Sequence, residues 1–123
     1  MTITEAITQA DAKHRNSIPE DTKILWLSEL DGRVYNDLIS THEGGEAVKQ
    51  PEYTANTVRE TELLIVHPYD KVYPLWIEAQ MYFALGETER YLNTYSLFNA
   101  AYMEFARWYH RTHKPHGRKL KIF

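Results

Sequence analysis

The 123-residue chain contains no cysteine, which removes both a disulfide framework and any thiolate metal site and fits an intracellular or virion protein. It also lacks an apolar run approaching the roughly 20 residues of a membrane span, and its opening residues alternate with polar ones instead of forming a signal peptide. Acidic residues are missing from one end. Residues 1–106 hold eight Lys and Arg against all seventeen Asp and Glu, a balance of −9, whereas the remainder contributes +6. An acidic body repels nucleic acid over most of its surface, and a basic end can reach an acidic partner. Arg107 and Arg111 also suit the negative end of a helix dipole, an account that stops before Arg118.

The motifs of several enzyme classes are absent too. There is no Gly-rich phosphate loop, no G-x-S-x-G elbow and no H-E-x-x-H helix, and His42-Glu43 is only a dipeptide. No catalytic residue is assigned, no cofactor is implied, and the reading is of a protein that is not an enzyme. His110, His113 and His116 are the best metal candidates, with the first two about one turn apart. Cationic neighbours and the lack of any carboxylate after Glu104 favour a capping or exposed role, so no metal ligand is assigned. Arg107-Trp108-Tyr109-His110-Arg111 interleaves basic and aromatic residues as a nucleic-acid surface does, but its aromatics fall on an apolar helical arc, where core packing is the better reading.

What the chain does have is helical periodicity. Thr2 and Glu5 are spaced as a capping box, opening a first helix that carries Ile3, Ala6, Ile7 and Ala10 inward and ends before Asn16 and Ser17. A second helix begins near Pro19 and runs to about Ser40 on the stripe Ile24, Leu27, Leu30, Val34 and Leu38. Asp31-Gly32 resembles a turn signal, yet the stripe keeps its phase through it, and close approach of another backbone would account for the glycine. A third helix runs from Asp70, as N-cap, to Leu85, with Val72, Leu75, Trp76, Ala79, Tyr82 and Phe83 inward and Pro74 in or near its first turn. Gly86 stops it.

The fourth helix, Glu87 to His113, places Tyr91, Tyr95, Phe98, Tyr102, Phe105 and Tyr109 on one face, with Leu97, Ala101 and Trp108 beside them. That arc is wider than the roughly 100° a helix needs to rest on one core. Surplus apolar surface of this kind calls for a second partner. Between the second and third helices the period disappears over 41–69. A short strand at Glu62 to Val66, with another at Thr54 to Val58, would make a projecting hairpin in which Leu63, Leu64, Ile65 and Val66 meet a neighbouring copy. The fold expected is mainly α: a four-helix bundle over 1–113 with a long projecting loop or short β-hairpin between helices 2 and 3. An extended C-terminal tail follows at 114–123, in which Pro115 and Gly117 interrupt the helix. Lys114, Arg118, Lys119 and Lys121 supply its charge, and Leu120, Ile122 and Phe123 its apolar anchors.

Particular words then become informative in order: Trp26-Leu27-Ser28-Glu29-Leu30-Asp31-Gly32-Arg33, Pro68-Tyr69-Asp70, Glu78-Ala79-Gln80, Gly86-Glu87, Leu97-Phe98-Asn99-Ala100-Ala101-Tyr102 and Phe105-Ala106-Arg107-Trp108-Tyr109. In that order the chain resembles the small head-tail connector, or adaptor, proteins of tailed bacteriophages and prophages, over nearly its whole length apart from the loop. The resemblance implies a helical subunit of a ring, commonly of twelve copies, under the portal vertex of the capsid. Such a ring extends the DNA channel and carries the stopper or tail-completion proteins. It implies a portal-docking tail at Lys114, Pro115, Arg118, Lys119, Leu120, Lys121, Ile122 and Phe123, a place in the virion neck, and assembly in the host bacterial cytoplasm. No membrane is involved, and phage DNA passes without specific binding. Pro74 and the segment from Thr41 to Val66 depart from the family pattern. The alternatives are a DNA-binding packaging or regulatory protein that uses the basic tail, and a monomeric interaction module.

Overall fold

A computed structural model of the chain describes residues 1–116. The positions assigned above to Arg118, Lys119, Leu120, Lys121, Ile122 and Phe123 lie outside the described residues. The four helices are α1 (Ile3–Asp11), α2 (Glu20–Val34), α3 (Val72–Ala84) and α4 (Thr88–Thr112). None is long and apolar enough to cross a membrane.

α1 opens on the expected capping box. Glu5 N–H donates to Thr2 Oγ1 at 3.1 Å, and Thr2 N–H donates to the Glu5 carboxylate at 2.8 Å. Two of the four amides that a helix start leaves unpaired are met by the long connecting segment: Ile3 N donates to Thr61 O and Thr4 N to Arg59 O, at 3.1 and 3.2 Å. Leu63 N returns a bond to Met1 O at 2.9 Å. The segment is therefore stitched to α1 and does not project. No strand forms among the described residues; Thr2 and Glu62 make only an isolated antiparallel bridge. Leu63 and Ile65 are buried and Leu64 packs against the core. Leu63 to Ile65 thus pack into the chain's own interior, and the hairpin expected from the β-branched residues of this run is replaced by irregular backbone. Of the four residues offered above to a neighbouring copy, Val66 alone is exposed, at 49%.

α2 keeps the predicted stripe, with Ile24, Leu27, Leu30 and Val34 fully buried. It continues as a π-helix over Tyr35–Ile39, closed by Ser40 N donating to Tyr35 O at 2.8 Å, so the helical stretch does reach the predicted end. The extra residue in that turn lets Leu38 and Ile39 both enter the core. Gly32 is not explained by a close backbone, because a methyl group there would meet nothing within 4 Å. The close approach is at Gly45, where a Cβ would stand 1.9 Å from Ile39 O.

α3 is the central helix and packs against the other three. Its buried residues, Val72, Tyr73, Trp76, Ile77, Ala79, Met81 and Tyr82, occupy both sides. A single inward stripe missed Tyr73, Ile77 and Met81 and wrongly included Phe83, which is 66% exposed against the edge of Tyr91. Leu75 is half-buried. Lys71, not Asp70, is the N-cap, with no side-chain capping bond; the Asp70 carboxylate instead lies 3.4 Å from the Met1 amino nitrogen. Pro74 occupies the first turn, where its missing N–H costs nothing. At the far end Gly86 has φ +76°, Gly86 N donates to Phe83 O and Glu87 N donates to Tyr82 O. This paired closure meets two of the last carbonyls of α3 and turns the chain sharply into α4.

α4 lays Thr94, Phe98, Ala101, Phe105 and Tyr109 into the core, the last four from the predicted arc. Phe98 meets Trp76 with ring centroids 5.0 Å apart. Tyr91, Tyr95, Tyr102 and Trp108 flank this line and are half-buried. Leu97 stands outside it, 61% exposed, as do Leu92 at 60% and Met103 at 47%. Part of the aromatic arc is core, and part of the apolar surface on α4 is exposed.

Candidate functional site

Three features stand out from the bundle: a buried carboxylate node, the root of the C-terminal tail, and the uncovered apolar surface of α3 and α4.

Asp31 is fully buried within α2. Its Oδ2 accepts from Tyr53 Oη at 2.6 Å and from Leu64 N at 3.0 Å, and its Oδ1 accepts from Tyr73 Oη at 2.6 Å. Tyr73 Oη in turn accepts from Ile65 N at 2.7 Å. Asp31 at two points, Tyr53 and Leu64, and Tyr73 at a third, Ile65, thus tie the long segment to α2 and α3. Burial pushes the Asp31 carboxyl up, against the lowering effect of the three donors, and burial beside that carboxylate pushes both phenols up. The node is closed to solvent and its acceptors are engaged, so it serves as a clip. The sequence carried a signal for it: Asp31 falls in phase with Leu27, Leu30 and Val34, and an acid on an apolar stripe needs buried donors.

The tail does not leave the bundle at His113. Glu43 N donates to Lys114 O at 2.8 Å and His116 N donates to Thr41 O at 2.7 Å, an antiparallel bridge centred on His42 and Pro115. Of the docking-tail residues named from the sequence, Lys114 and Pro115 are thereby held on the body of the chain, with Lys114 exposed. Behind the bridge lies His42, only 2% exposed. Its Nδ1 is 2.6 Å from Leu38 O and its Nε2 is 2.9 Å from His110 Nδ1. His113 stacks on Tyr109 at 3.8 Å, and His116 Nε2 lies 3.2 Å from Glu46 Oε2. Sequence reasoning grouped His110, His113 and His116 but omitted His42, which is distant along the chain. Among the described residues, no group of three or more His, Asp or Glu is arranged to hold a metal ion.

The third feature is a shallow groove between α3 and α4, lined by Lys71, Leu75, Leu97, Ala100, Ala101 and Glu104, with a volume of about 260 Å³. Lys71 Nζ and Glu104 Oε1 approach to 3.7 Å across it. Near the α3–α4 turn, Phe83, Leu85 and Leu92 are also exposed.

No family model matches the chain, and neither a curated protein nor a solved structure does.

Proposed function

We propose that the chain is a head-tail connector, or adaptor, subunit of a tailed phage or prophage. It assembles as a ring, of twelve copies in the virion, beneath the portal protein, extends the DNA channel, and offers a platform to a stopper or tail-completion protein. The observation that carries this reading is the ordered set of sequence words from Trp26 to Tyr109. Its support is that residues within these words hold constrained places: Asp31 at the clip, Tyr69 against Phe105 and Trp108, Ala79 in the core, Gly86 at the helix-to-helix turn, and Phe98, Ala101, Phe105 and Tyr109 on the core line of α4.

Assembly is further favoured by Leu92, Leu97 and Met103 on α4 and by Val58 and Val66 on the connecting segment, all of them exposed apolar side chains. A closed ring gives such surface somewhere to go. The acidic body suits passage of DNA, because negative walls do not retain phosphate. In this reading the tail from Lys114 to Phe123 engages the portal: Arg118, Lys119 and Lys121 pair with acids, and Leu120, Ile122 and Phe123 enter apolar pockets. Removal of residues 117–123 tests it. The truncated protein should fold normally and fail to attach to portal-bearing capsids; normal attachment would remove the docking role. Tight, salt-dependent binding of DNA by the full chain would favour a packaging or regulatory protein instead.

A further inference from the structure

The two backbone bonds that seat the tail root, at Thr41 and Glu43, flank His42, whose ring pairs with His110 and has room for a limited number of protons. Leu38 O can only accept, so the 2.6 Å contact fixes a proton on His42 Nδ1. In neutral His42 the other nitrogen, Nε2, is then a lone pair, and it receives the proton of His110 Nδ1 across 2.9 Å. His110 Nε2 takes no part in that contact, so a first added proton there leaves the bond in place, now charge-assisted. A second added proton has nowhere to go except His42 Nε2. That sets two N–H groups against each other at hydrogen-bond distance and two positive rings beside each other.

We infer that His42 and His110 form a proton-operated latch, which holds Lys114–His116 on Thr41–Glu43 while at most one ring is charged and releases them when both are. The inference does not depend on what the tail engages. His42 is next to Thr41 and Glu43, whose O and N make the two backbone bonds to the tail, so displacement of its ring reaches those bonds directly. The groups around the ring are imidazoles on the facing elements: His110 from α4 and His113 just past its end, with the ring of Tyr109 edge-on, and His116 from the tail root. Leu38 O and Thr41 Oγ1 approach from the π-helix side. Glu46, exposed, accepts from Gly44 N and lies beside His116 but touches neither His42 nor His110, and its screened contact with His116 opposes release weakly.

The sign follows from the ring's surroundings. Burial, reinforced by charge on His110, His113 and His116, holds His42 below the ordinary imidazole range, against the Leu38 carbonyl, which favours the cation. A released His42 regains the ordinary value of about 6.5 and binds protons more strongly than a latched one. The latch is therefore intact above that value and is lost as pH falls below it, with the latched-to-released ratio dropping by up to about tenfold per pH unit.

The test is amide exchange at Glu43 and His116 in the ¹⁵N-labelled full chain, followed by NMR from about pH 8 to about pH 5 and corrected for intrinsic exchange rates. Protection at these two amides should collapse across that range while amides in the middle of α4, such as Ala101 and Phe105, stay protected. His110→Asn supplies the control, since His110 is exposed and an Asn amide can present either its oxygen or its NH2 at the position of Nδ1. It should hold both amides protected at acidic pH. Protection that persists at pH 5 in the unaltered chain would overturn the latch. So would loss in step with the whole of α4, or an unchanged pH profile in His110→Asn.

Discussion

Tyr73→Phe removes one oxygen atom and leaves two buried groups without a partner. Tyr73 Oη is the donor to Asp31 Oδ1 and the acceptor for Ile65 N, at 2.6 and 2.7 Å, and both Asp31 and Ile65 are fully buried. A buried polar group stripped of its partner costs about 1–3 kcal/mol, and the charged one falls at the upper end, so the substitution should cost about 4 kcal/mol. Tyr53→Phe is the matched comparison. It removes a bond of the same 2.6 Å length to the other carboxylate oxygen, but Asp31 Oδ2 keeps the Leu64 amide, and Tyr53 N keeps Ser28 Oγ. Its cost should be about 1–2 kcal/mol. Urea unfolding of the two variants at neutral pH, with the denaturant slope unchanged, measures both. Against a total stability of about 5–15 kcal/mol the difference is readily resolved. Equal costs for the two substitutions, or a cost below about 1 kcal/mol for Tyr73→Phe, would refute the view that Asp31 and Tyr73 clip the long segment to the bundle.

Four further outcomes are expected. Phe105→Ala, at a ring only 2% exposed, should cost about 3–5 kcal/mol by thermal or urea unfolding, whereas half-buried Trp108→Ala should cost less than half as much. Gly32→Ala should stabilise the protein by about 1 kcal/mol, since the helical site is open and glycine there only adds backbone entropy to the unfolded chain. Gly45→Ala should lose about 1–3 kcal/mol, because its Cβ would collide with the Ile39 carbonyl. Deleting 114–123 should lower the melting temperature more than deleting 117–123, since only the longer deletion removes the bonds of Lys114 and His116 to Glu43 and Thr41.

The helices were legible because each carries its own local evidence: the Thr2–Glu5 box, the Ile24-to-Leu38 stripe, the Gly86 stop and the Phe98–Phe105 line. These depend on neighbours three or four residues away, which a single sequence displays. The errors have the opposite character. α3 is buried on both sides, so a one-stripe reading drops Tyr73, Ile77 and Met81, and it keeps Phe83 because the helix end escapes cover. The run from Leu63 to Ile65 has strand composition, but its amides are taken by Met1 O, Asp31 and Tyr73, leaving no ladder to build. His42 pairs with a residue 68 positions away, a distance over which periodicity carries no information. Asp31 alone was recoverable, because the apolar phase that carries the helix through the Asp31-Gly32 turn signal also puts its carboxylate on the buried stripe.

The proposed function requires the chain to form a connector ring under a portal. Electron imaging of the full chain, co-expressed with the portal protein of its own phage, addresses it most directly. We expect a closed ring of these helical chains stacked coaxially on the portal, with the segment beyond His116 in contact with portal subunits. Portal rings that remain bare beside a folded, monomeric chain would contradict it.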